Sequence, residues 1–266
     1  MIKAIIAGAA GRMGGRIINV ISQEDGIELA AAFERADSPA IGKDAGIVAG
    51  VGELGVEIAD SLDAVIDKGD VIIDFTFHSA TVEHARKASE KGRAMVIGTT
   101  GFSNEELDEI KKLSANFPCV LAPNMSVGIN LLYKLIDMTA HVLGEDYDIE
   151  IVEAHHRLKK DAPSGTALQL ARVAAKARGK ELDEVAVYER HGLIGERPKG
   201  QIGIQTVRAG DIVGEHTVLF GGIGERIEIV HKASSRDTFA KGAVRAAKWI
   251  VGKPNGFYSM QDVLNL

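Results

Sequence analysis

The stretch "MIKAIIAGAAGRMGGRI", Met1–Ile17, decides the fold class of this chain. Its apolar run Ile2–Ala7 has the length and the β-branched content of a buried strand. Gly8, Gly11 and Gly14 follow directly, in a G-x-x-G-x-x-G spacing, and lead into a helical pattern. A tight glycine turn between a strand and a helix lets a pyrophosphate approach the free amides of the helix start. The stretch therefore predicts a phosphate loop.

The alternation of strand and helix continues through the first half of the chain. Further strands are predicted at Ile27–Phe33, Val71–Phe75, Ala94–Ile97 and Val120–Ala122. Helices are predicted near Met13–Gln23, Thr81–Lys91 and Asn104–Asn116, the last with a capping box formed by Ser103 and Glu106. Strands separated by helices pair in parallel through right-handed crossovers. The expected fold class is α/β, with a Rossmann-like doubly wound parallel sheet.

After Asn124 the pattern changes. The predicted elements are a long helix Ser126–Leu143, a strand Ile149–Glu153, a helix Thr166–Arg178, the strand-like runs Gln201–Arg208, His216–Phe220 and Arg226–His231, and a final helix Asp237–Val251. The Gly-rich segments "AGDIVGE" and "GGIGE" predict hairpins between the three runs. We expect a second α+β domain with a mixed or antiparallel sheet at 126–235. The dinucleotide-binding domain would comprise 1–125 and 236–266.

Composition narrows the class of protein. The chain has 266 residues, a formal net charge of −6 and 5% aromatic residues, which argues against nucleic-acid binding. It has no long apolar run and no secretory signal, so we expect no membrane association and a cytoplasmic location. The one cysteine, Cys119, lies in the apolar run "PCVLA" and is expected to be a buried, inert thiol.

An acidic residue ends the second predicted strand. Glu34, in "AAFERAD", lies 20 positions after Gly14, where its carboxylate can accept hydrogen bonds from a ribose hydroxyl. Arg35 would attract a 2′-phosphate that Glu34 repels. The pair predicts a site that takes NADH or NADPH. The loops "IGTTGF" and "APNMSVG" follow later strands and are expected to line the nicotinamide and its ribose.

The stretch "EAHHRLKKDAPSGTAL", Glu153–Leu168, gathers positive charge in an acidic chain. Adjacent histidines on a strand point to opposite faces and have no Cys or H-x-x-x-H partner, which disfavours a metal site. A solvated basic loop without a task is a second interpretation. The third is an anion site in which the helix start at 164–166 binds a carboxylate. Lys159 or Lys160, with a histidine, would hold a second carboxylate or supply a proton. A small dicarboxylate substrate would explain the charge.

These segments carry a resemblance to a known family. In chain order they are "GAAGRMG", "FER", "IDFT", "VIGTTGF", "APNMSVGIN", "EAHHRLKKDAPSGTAL", "RAGDIVGEHTV" and "HKASSRDTFAKGAVRAA", spanning Gly8 to Ala247. Together they resemble the 4-hydroxy-tetrahydrodipicolinate reductase (dihydrodipicolinate reductase) family. The resemblance implies NAD(P)H-dependent reduction of a cyclic imine dicarboxylate in the diaminopimelate route to lysine.

The resemblance also implies roles for individual residues. His155 would be the proton donor, Lys159 a second catalytic residue, and His156, Lys159, Gly165 and Thr166 the substrate contacts. The implied cofactor contacts are Gly8, Ala9, Ala10, Gly11, Arg12, Met13, Glu34, Arg35, Gly98, Thr99, Thr100, Ala122, Pro123, Asn124 and Met125. No metal is implied, and the second domain would build a homotetramer.

Two other functions compete with this interpretation. One is a different nicotinamide-dependent oxidoreductase that acts on a small amino or oxo dicarboxylate. The other is a redox-sensing binding protein without catalysis. A sensor has no need of His155 and Lys159 in a pocket, so these two residues disfavour it.

Overall fold

A computed structural model describes residues 1–266, which form two compact units, Met1–Val127 with Asp237–Leu266, and Gly128–Arg236. The strands are β1 (Ile2–Ala7), β2 (Ile27–Phe33), β3 (Ile58–Ala59), β4 (Val71–Asp74), β5 (Ala94–Ile97), β6 (Pro118–Leu121), β7 (Asp148–His155), β8 (Ala186–Val187), β9 (Ile202–Arg208), β10 (Gly214–Gly221), β11 (Arg226–Ala233) and β12 (Gly256–Tyr258). The helices are α1 (Arg12–Ile21), α2 (Ala45–Ala49), α3 (His78–Lys91), α4 (Asn104–Leu113), α5 (Val127–Leu143), α6 (Gly165–Ala177), α7 (Leu182–Val185), α8 (Asp237–Ile250) and α9 (Met260–Leu264).

The first unit is a seven-stranded sheet in the order β12-β6-β5-β4-β1-β2-β3, and every pair in it is parallel. Along β1, Ala4 and Ile6 contribute to a core with α1 and α8, whereas Ile5 and Ala7 contribute to a core with α3 and α4. A parallel sheet covered on both faces needs such a continuous apolar strand. The predicted Rossmann-like fold class is confirmed.

Local signals in this unit also match the structure. Ser103 Oγ accepts a hydrogen bond from the Glu106 amide at 3.2 Å, and Glu106 Oε2 accepts from the Ser103 amide at 2.8 Å, so the capping box of α4 is confirmed. Cys119 is fully buried in β6, and burial raises the pKa of its thiol. The short elements β3, β12, α2 and α9 carry too little periodicity to be predicted from the sequence.

The second unit is a mixed sheet in the order β11-β10-β7-β9-β8. Its central strand β7 runs antiparallel to β10 and parallel to β9. Side chains of one face, including Ile149, Ile151, Val218 and Phe220, form a core with α5 and α6. On the opposite face three valines are 40–47% exposed. They are Val152, Val207 and Val230.

One of the two predicted hairpins is wrong. The "GGIGE" segment does join the antiparallel neighbours β10 and β11, but "AGDIVGE" joins β9 to β10, which lie on opposite sides of β7. The segment passes around the end of β7: the Ala209 amide donates to the His155 carbonyl at 3.0 Å, and the Arg157 amide donates to the Gly210 carbonyl at 3.1 Å. A Gly-rich segment is compatible both with a hairpin and with a connection that passes around another strand. The pairing of β9 and β10 with β7 decides between the two.

The end of β7 also differs from the prediction. The strand continues two residues beyond Glu153, so His155 is a strand residue that shares a sheet face with Glu153. The sequence predicts a strand that ends at Glu153, whereas in the structure His156 is the first residue after the strand. None of the helices combines the length and the hydropathy that crossing a bilayer requires.

Candidate active site

At two positions of the predicted phosphate loop, neighbouring atoms lie too close to the backbone to leave room for a Cβ, so glycine is required. Gly8 has φ +66°, and a Cβ added to it would lie 2.9 Å from the Thr76 methyl carbon. A Cβ on Gly14 would lie 2.1 Å from the Gly8 carbonyl oxygen. Gly11 stands at the N-cap of α1, and no side chain caps this helix start. The amides of the first turn are therefore available to an anion, as a pyrophosphate site requires.

A cavity of about 480 Å³ opens beside this loop. It is lined by Gly8, Gly11, Glu34 and Arg35, and also by residues that the sequence did not single out, among them Phe77, His84 and Lys87. Ala9, Ala10, Gly11 and Arg12 line a smaller neighbouring cavity of about 260 Å³ at the start of α1. Loop, acidic strand end and cavity fit the adenosine and pyrophosphate parts of a dinucleotide.

Glu34 and Arg35 differ in how firmly they are held. Glu34 Oε2 accepts a hydrogen bond from the Arg35 amide at 3.1 Å. The Arg35 side chain is 79% exposed, and its Nε lies 3.0 Å from Asp37 Oδ1. An ion pair this exposed contributes little free energy, so the guanidinium can leave Asp37 for a phosphate.

A buried carboxylate, Asp74 at the end of β4, ties two of the cofactor-side loops together. Its Oδ1 accepts from the Thr76 amide at 2.8 Å and from Thr76 Oγ1 at 2.6 Å, and its Oδ2 accepts from His84 Nδ1 at 2.6 Å. The Thr99 hydroxyl lies 3.4 Å from the same Oδ1, and the Gly98 amide donates to the Asp74 carbonyl at 2.9 Å. The Thr99 side chain therefore points into the unit. The neighbouring Thr100 is exposed.

The loop after β6 holds the other four predicted cofactor contacts. The Ala122 amide donates to the Ile97 carbonyl at 3.1 Å, and Asn124 Oδ1 accepts from the Ser126 amide at 2.9 Å. Met125 is 1% exposed and lies under α8, where a Cβ on Gly242 would meet the Met125 carbonyl oxygen at 1.7 Å. Pro123 is exposed at the tip. The Met125 side chain thus packs in the core.

In the second unit a fully buried carboxylate, Glu153, receives five hydrogen bonds. His155 Nδ1 lies 2.5 Å from Oε2, and Arg208 contacts both oxygens at 2.8 Å. The Ser164 amide and the Thr206 hydroxyl donate to Oε1 at 2.9 and 3.2 Å. Burial alone raises the pKa of Glu153, but the hydrogen bonds from Arg208, His155 and Ser164 lower it to about 2.

The sheet register explains why these groups meet. Glu153 and His155 continue the face of β7 that carries the core isoleucines. Thr206 lies opposite Glu153 on β9, and Arg208 lies opposite His155. On β10, His216 lies opposite Glu153. The polar cluster therefore lies on the helix-covered face of the sheet, at the carboxyl end of β7. At this end α6 begins, and the helices no longer cover the sheet.

His155 has a defined orientation in this cluster. Its side chain is 12% exposed, its Nδ1 faces Glu153, and its ring lies edge-on to the His216 ring at a centroid distance of 5.3 Å. Burial lowers the pKa of His155, and the hydrogen bond to Glu153 offsets part of that effect. His216 is 4% exposed, and burial lowers its pKa to about 4.

The predicted substrate contacts surround the same cluster. Lys159 Nζ lies 2.9 Å from Asp161 Oδ1, and the positive charge of Lys159 acts on the pKa of His155. His156 Nδ1 is buried and has no hydrogen-bond partner within the chain. Gly165 is exposed, and a Cβ added there would meet nothing within 4 Å. Thr166 follows in the first turn of α6, which begins with a Ser164 cap on the Ala167 amide at 3.2 Å. An unpaired ring nitrogen and an open helix start fit a carboxylate.

Four cluster members were not predicted as site residues. Glu153 could have been found, because strand alternation places it on the face of His155. Thr206, Arg208 and His216 could not, because only the pairing of β7 with β9 and β10 brings them to Glu153. Arg208 and His216 both lie in the segment "RAGDIVGEHTV", which contributed to the resemblance, but the segment by itself assigned neither residue a role.

Comparison with known proteins gives one consistent result. The family model "Dihydrodipicolinate reductase, N-terminus" matches residues 2–125, and "Dihydrodipicolinate reductase, C-terminus" matches residues 128–264. A 4-hydroxy-tetrahydrodipicolinate reductase of Desulfotalea psychrophila is 62% identical over 266 residues, covering 100% of this chain and 99% of that protein. One from Syntrophus aciditrophicus is 58% identical over 264 residues, covering 99% and 98%. The solved structure of a dipicolinate-bound dihydrodipicolinate reductase from Paenisporosarcina sp. TG-14 superposes with a TM-score of 0.78, at 26% identity and with 98% of each chain covered.

Proposed function

This chain belongs to the dihydrodipicolinate reductase family, and from that premise we propose how its residues reduce 4-hydroxy-tetrahydrodipicolinate to tetrahydrodipicolinate. The chain is an oxidoreductase of the diaminopimelate route to lysine, and it uses a nicotinamide cofactor. The residue assignment rests on the hydrogen bonds of one carboxylate, that of Glu153. Glu153 accepts from both His155 Nδ1 and the Ser164 amide, which links a proton donor to a carboxylate-binding helix start.

A bound NADH or NADPH supplies the hydride, and the chain supplies charge complementarity and a proton. We assign the substrate carboxylates to the amides at Gly165 and Thr166, to His156 and to the Lys159 ammonium. The hydroxylated substrate first loses water to give a conjugated cyclic imine, and addition of hydride to ring carbon C4 of that imine leaves negative charge on the ring. His155, protonated at Nε2, donates a proton to that ring as general acid, and Lys159 stabilises the charge until it does.

On the cofactor side we assign the pyrophosphate to the loop at Gly8–Met13 and the adenosine ribose to Glu34. The loops at 98–100 and 122–125 would line the nicotinamide. These assignments rest on the glycine geometry, on the uncapped start of α1 and on the cavity beside Glu34.

The reaction is tested by following NADH and NADPH oxidation in the presence of a synthase that condenses pyruvate with aspartate semialdehyde. We expect oxidation only when both precursors and the active synthase are present. Oxidation of L-aspartate or a related amino dicarboxylate in the reverse assay, without turnover in the coupled one, would instead indicate an amino-acid dehydrogenase. No turnover in either assay would contradict the proposal.

We propose that both NADH and NADPH serve as cofactor, because Glu34 suits a ribose hydroxyl and the exposed Arg35 can reach a 2′-phosphate. Replacing Arg35 with Ala should raise the KM for NADPH by about tenfold or more, the size of a lost charged hydrogen bond, and leave the KM for NADH unchanged.

Asp37 offers a matched control for that test, since it competes for the Arg35 guanidinium. Asp37→Asn should lower the KM for NADPH while the KM for NADH stays the same. Equal effects of Arg35→Ala on both cofactors would show that Arg35 does not contact the 2′ position.

We propose that the protein is a homotetramer built through the second unit. The support is the resemblance and the bare face of that sheet, where valines of β7, β9 and β11 are 40–47% exposed. Light scattering at micromolar concentration should give about four times 28.3 kDa. Val230→Asp on this face should lower the mass, whereas Ile47→Asp, on exposed α2 of the first unit, should not. A wild-type monomer would contradict the assembly.

We also propose a cytoplasmic location, where the reduced nicotinamide pool lies, and cell fractionation would test it.

A further inference from the structure

Glu153 is surrounded by hydrogen-bond donors from three elements of the second unit. Its carboxylate is fully buried, and its five donors come from β7, β9 and the start of α6. A buried carboxylate is unfavourable unless such partners compensate for lost hydration. Arg208 contacts both oxygens, which is the strongest arrangement available to a carboxylate. Glu153 is therefore ionised throughout the neutral pH range.

An ionised carboxylate can only accept hydrogen bonds, which fixes the tautomer of His155. The 2.5 Å contact between His155 Nδ1 and Glu153 Oε2 requires the hydrogen to be on Nδ1. Nε2 is then the nitrogen that gains and loses a proton. Nε2 lies beside Gly214 on β10, where an added Cβ would come within 3.1 Å of it, so a side chain at this position would crowd Nε2.

The charges that face His155 come from three strands and a loop. Glu153 lies on its own strand, Arg208 on β9, His216 on β10, and Lys159 on the loop after β7. Burial keeps His216 neutral near pH 7, and the negative charge of Glu153, in direct contact with His155, favours the imidazolium. Without it, His155 would face Arg208 and Lys159 alone.

We propose that Glu153 is the positioning residue of this reaction: it holds the Nδ1 hydrogen of His155, so that Nε2 faces the substrate, while Arg208 holds Glu153. The inference rests on the proposed function, in which His155 is the general acid. Glu153 does not contact substrate and does not change its own protonation. During the transfer the Nε2 proton goes to the substrate ring, and the other hydrogen stays on Nδ1, where it remains hydrogen-bonded to Glu153.

The test compares Glu153→Gln with a matched control on the same strand, Glu150→Gln. Glu150 is likewise ion-paired with arginine, here with Arg190 at 2.9 Å and Arg197 at 3.1 Å, but it lies on the opposite face of β7 from His155. Both substitutions remove one carboxylate charge that is paired with arginine. Only the first can alter the His155 tautomer.

In Glu153→Gln we expect kcat to fall by about 10² or more, because the ring is no longer held in the productive tautomer. The KM for substrate and the Kd for NADH, from fluorescence titration, should stay near those of Glu150→Gln. The alkaline limb of the kcat profile should move to lower pH, because loss of the carboxylate lowers the pKa of the imidazolium.

Two results would overturn the inference. One is a kcat for Glu153→Gln equal to that of Glu150→Gln. The other is a lower kcat with an unmoved alkaline limb, which would indicate a structural role. If Glu153→Gln does not fold, Glu153→Asp keeps the charge but withdraws the carboxylate. Its kcat should then fall by about tenfold or more relative to Glu150→Asp, and equal values would overturn the inference.

Failure of the proposed function has a different signature. In that case wild type and Glu150→Gln would both fail to oxidise NAD(P)H in the coupled assay, and the inference would fall with the function. If wild type turns over and Glu153→Gln matches Glu150→Gln, only the role of Glu153 is refuted.

Discussion

At the scale of single residues, His155 acquires its properties from neighbours that are distant in the sequence. Arg208 is 53 positions away and His216 is 61, yet the register of the sheet places both beside it. Burial holds the pKa of His155 below its ordinary value, so protonation of Nε2 depends on Glu153 and on the negative substrate. An imidazolium with a lowered pKa is a stronger acid than an ordinary one, which favours transfer of its proton to the substrate.

His155→Gln should therefore lower kcat by about 10²–10⁴, the usual cost of removing a general acid, while the Kd for NADH stays unchanged. Stopped-flow kinetics and fluorescence titration would measure the two quantities. His191→Gln is the control, because His191 is an exposed histidine of the same unit. A kcat for His155→Gln that equals the control would remove His155 from the mechanism.

At the scale of elements, α6 and α4 both begin with a serine N-cap, but the two helix starts have different roles. Ser164 Oγ accepts from the Ala167 amide at 3.2 Å, and Ser103 Oγ accepts from the Glu106 amide at the same distance. The first cap also touches the polar cluster, since Ser164 Oγ lies 3.2 Å from His216 Nε2. The cap that starts α6 thus fixes the orientation of a predicted substrate turn.

Ser164→Ala and Ser103→Ala should each lower the free energy of unfolding by about 1 kcal/mol, the typical contribution of an N-cap. Urea unfolding would measure this loss. Only Ser164→Ala should also raise the KM for substrate, because its turn carries Gly165 and Thr166. If both variants keep the wild-type KM, the start of α6 does not bind the substrate.

At the scale of the whole molecule, the buried His216 makes the stability of the fold depend on pH. Its pKa is about 4 in the folded state, against 6.5 for an unperturbed histidine. The unfolded chain therefore binds a proton more readily than the folded one as the pH falls below 6.5. His216 contributes no penalty above that pH and destabilises the fold progressively down to about pH 4.

Replacing His216 with Gln should remove this part of the acid sensitivity. Between pH 7 and pH 5 the wild-type protein should lose about 2 kcal/mol more of its unfolding free energy than the variant does. Denaturant unfolding at the two pH values gives both numbers. Equal losses in the two proteins would mean that His216 takes up its proton in the folded state without penalty.

Much of the fold and part of the site could be predicted because they depend on local pattern. Ala4–Ala7 is buried on both faces, and such a strand, together with the alternation of strands and helices, predicts a parallel sheet that is covered on both sides. The positive φ of Gly8 and the close approach at Gly14 explain why glycine occupies both positions. The motif at Glu153–Leu168 likewise brought together a histidine pair, a lysine and a helix start. Side-chain periodicity and turn chemistry are properties of neighbouring residues, so the sequence determines them by itself.

The choice of strand partners was decided only by the tertiary structure. "AGDIVGE" has the composition of a hairpin, but β9 and β10 both pair with β7, and the segment passes around the end of that strand. This pairing brings Arg208 and His216 to Glu153 and turns a strand end into a polar cluster. Turn composition describes a few residues, whereas partner choice depends on the free energy of the whole sheet, which includes contacts between residues more than 50 positions apart. That is why the sequence determined the elements and their caps, and the tertiary structure determined what surrounds His155.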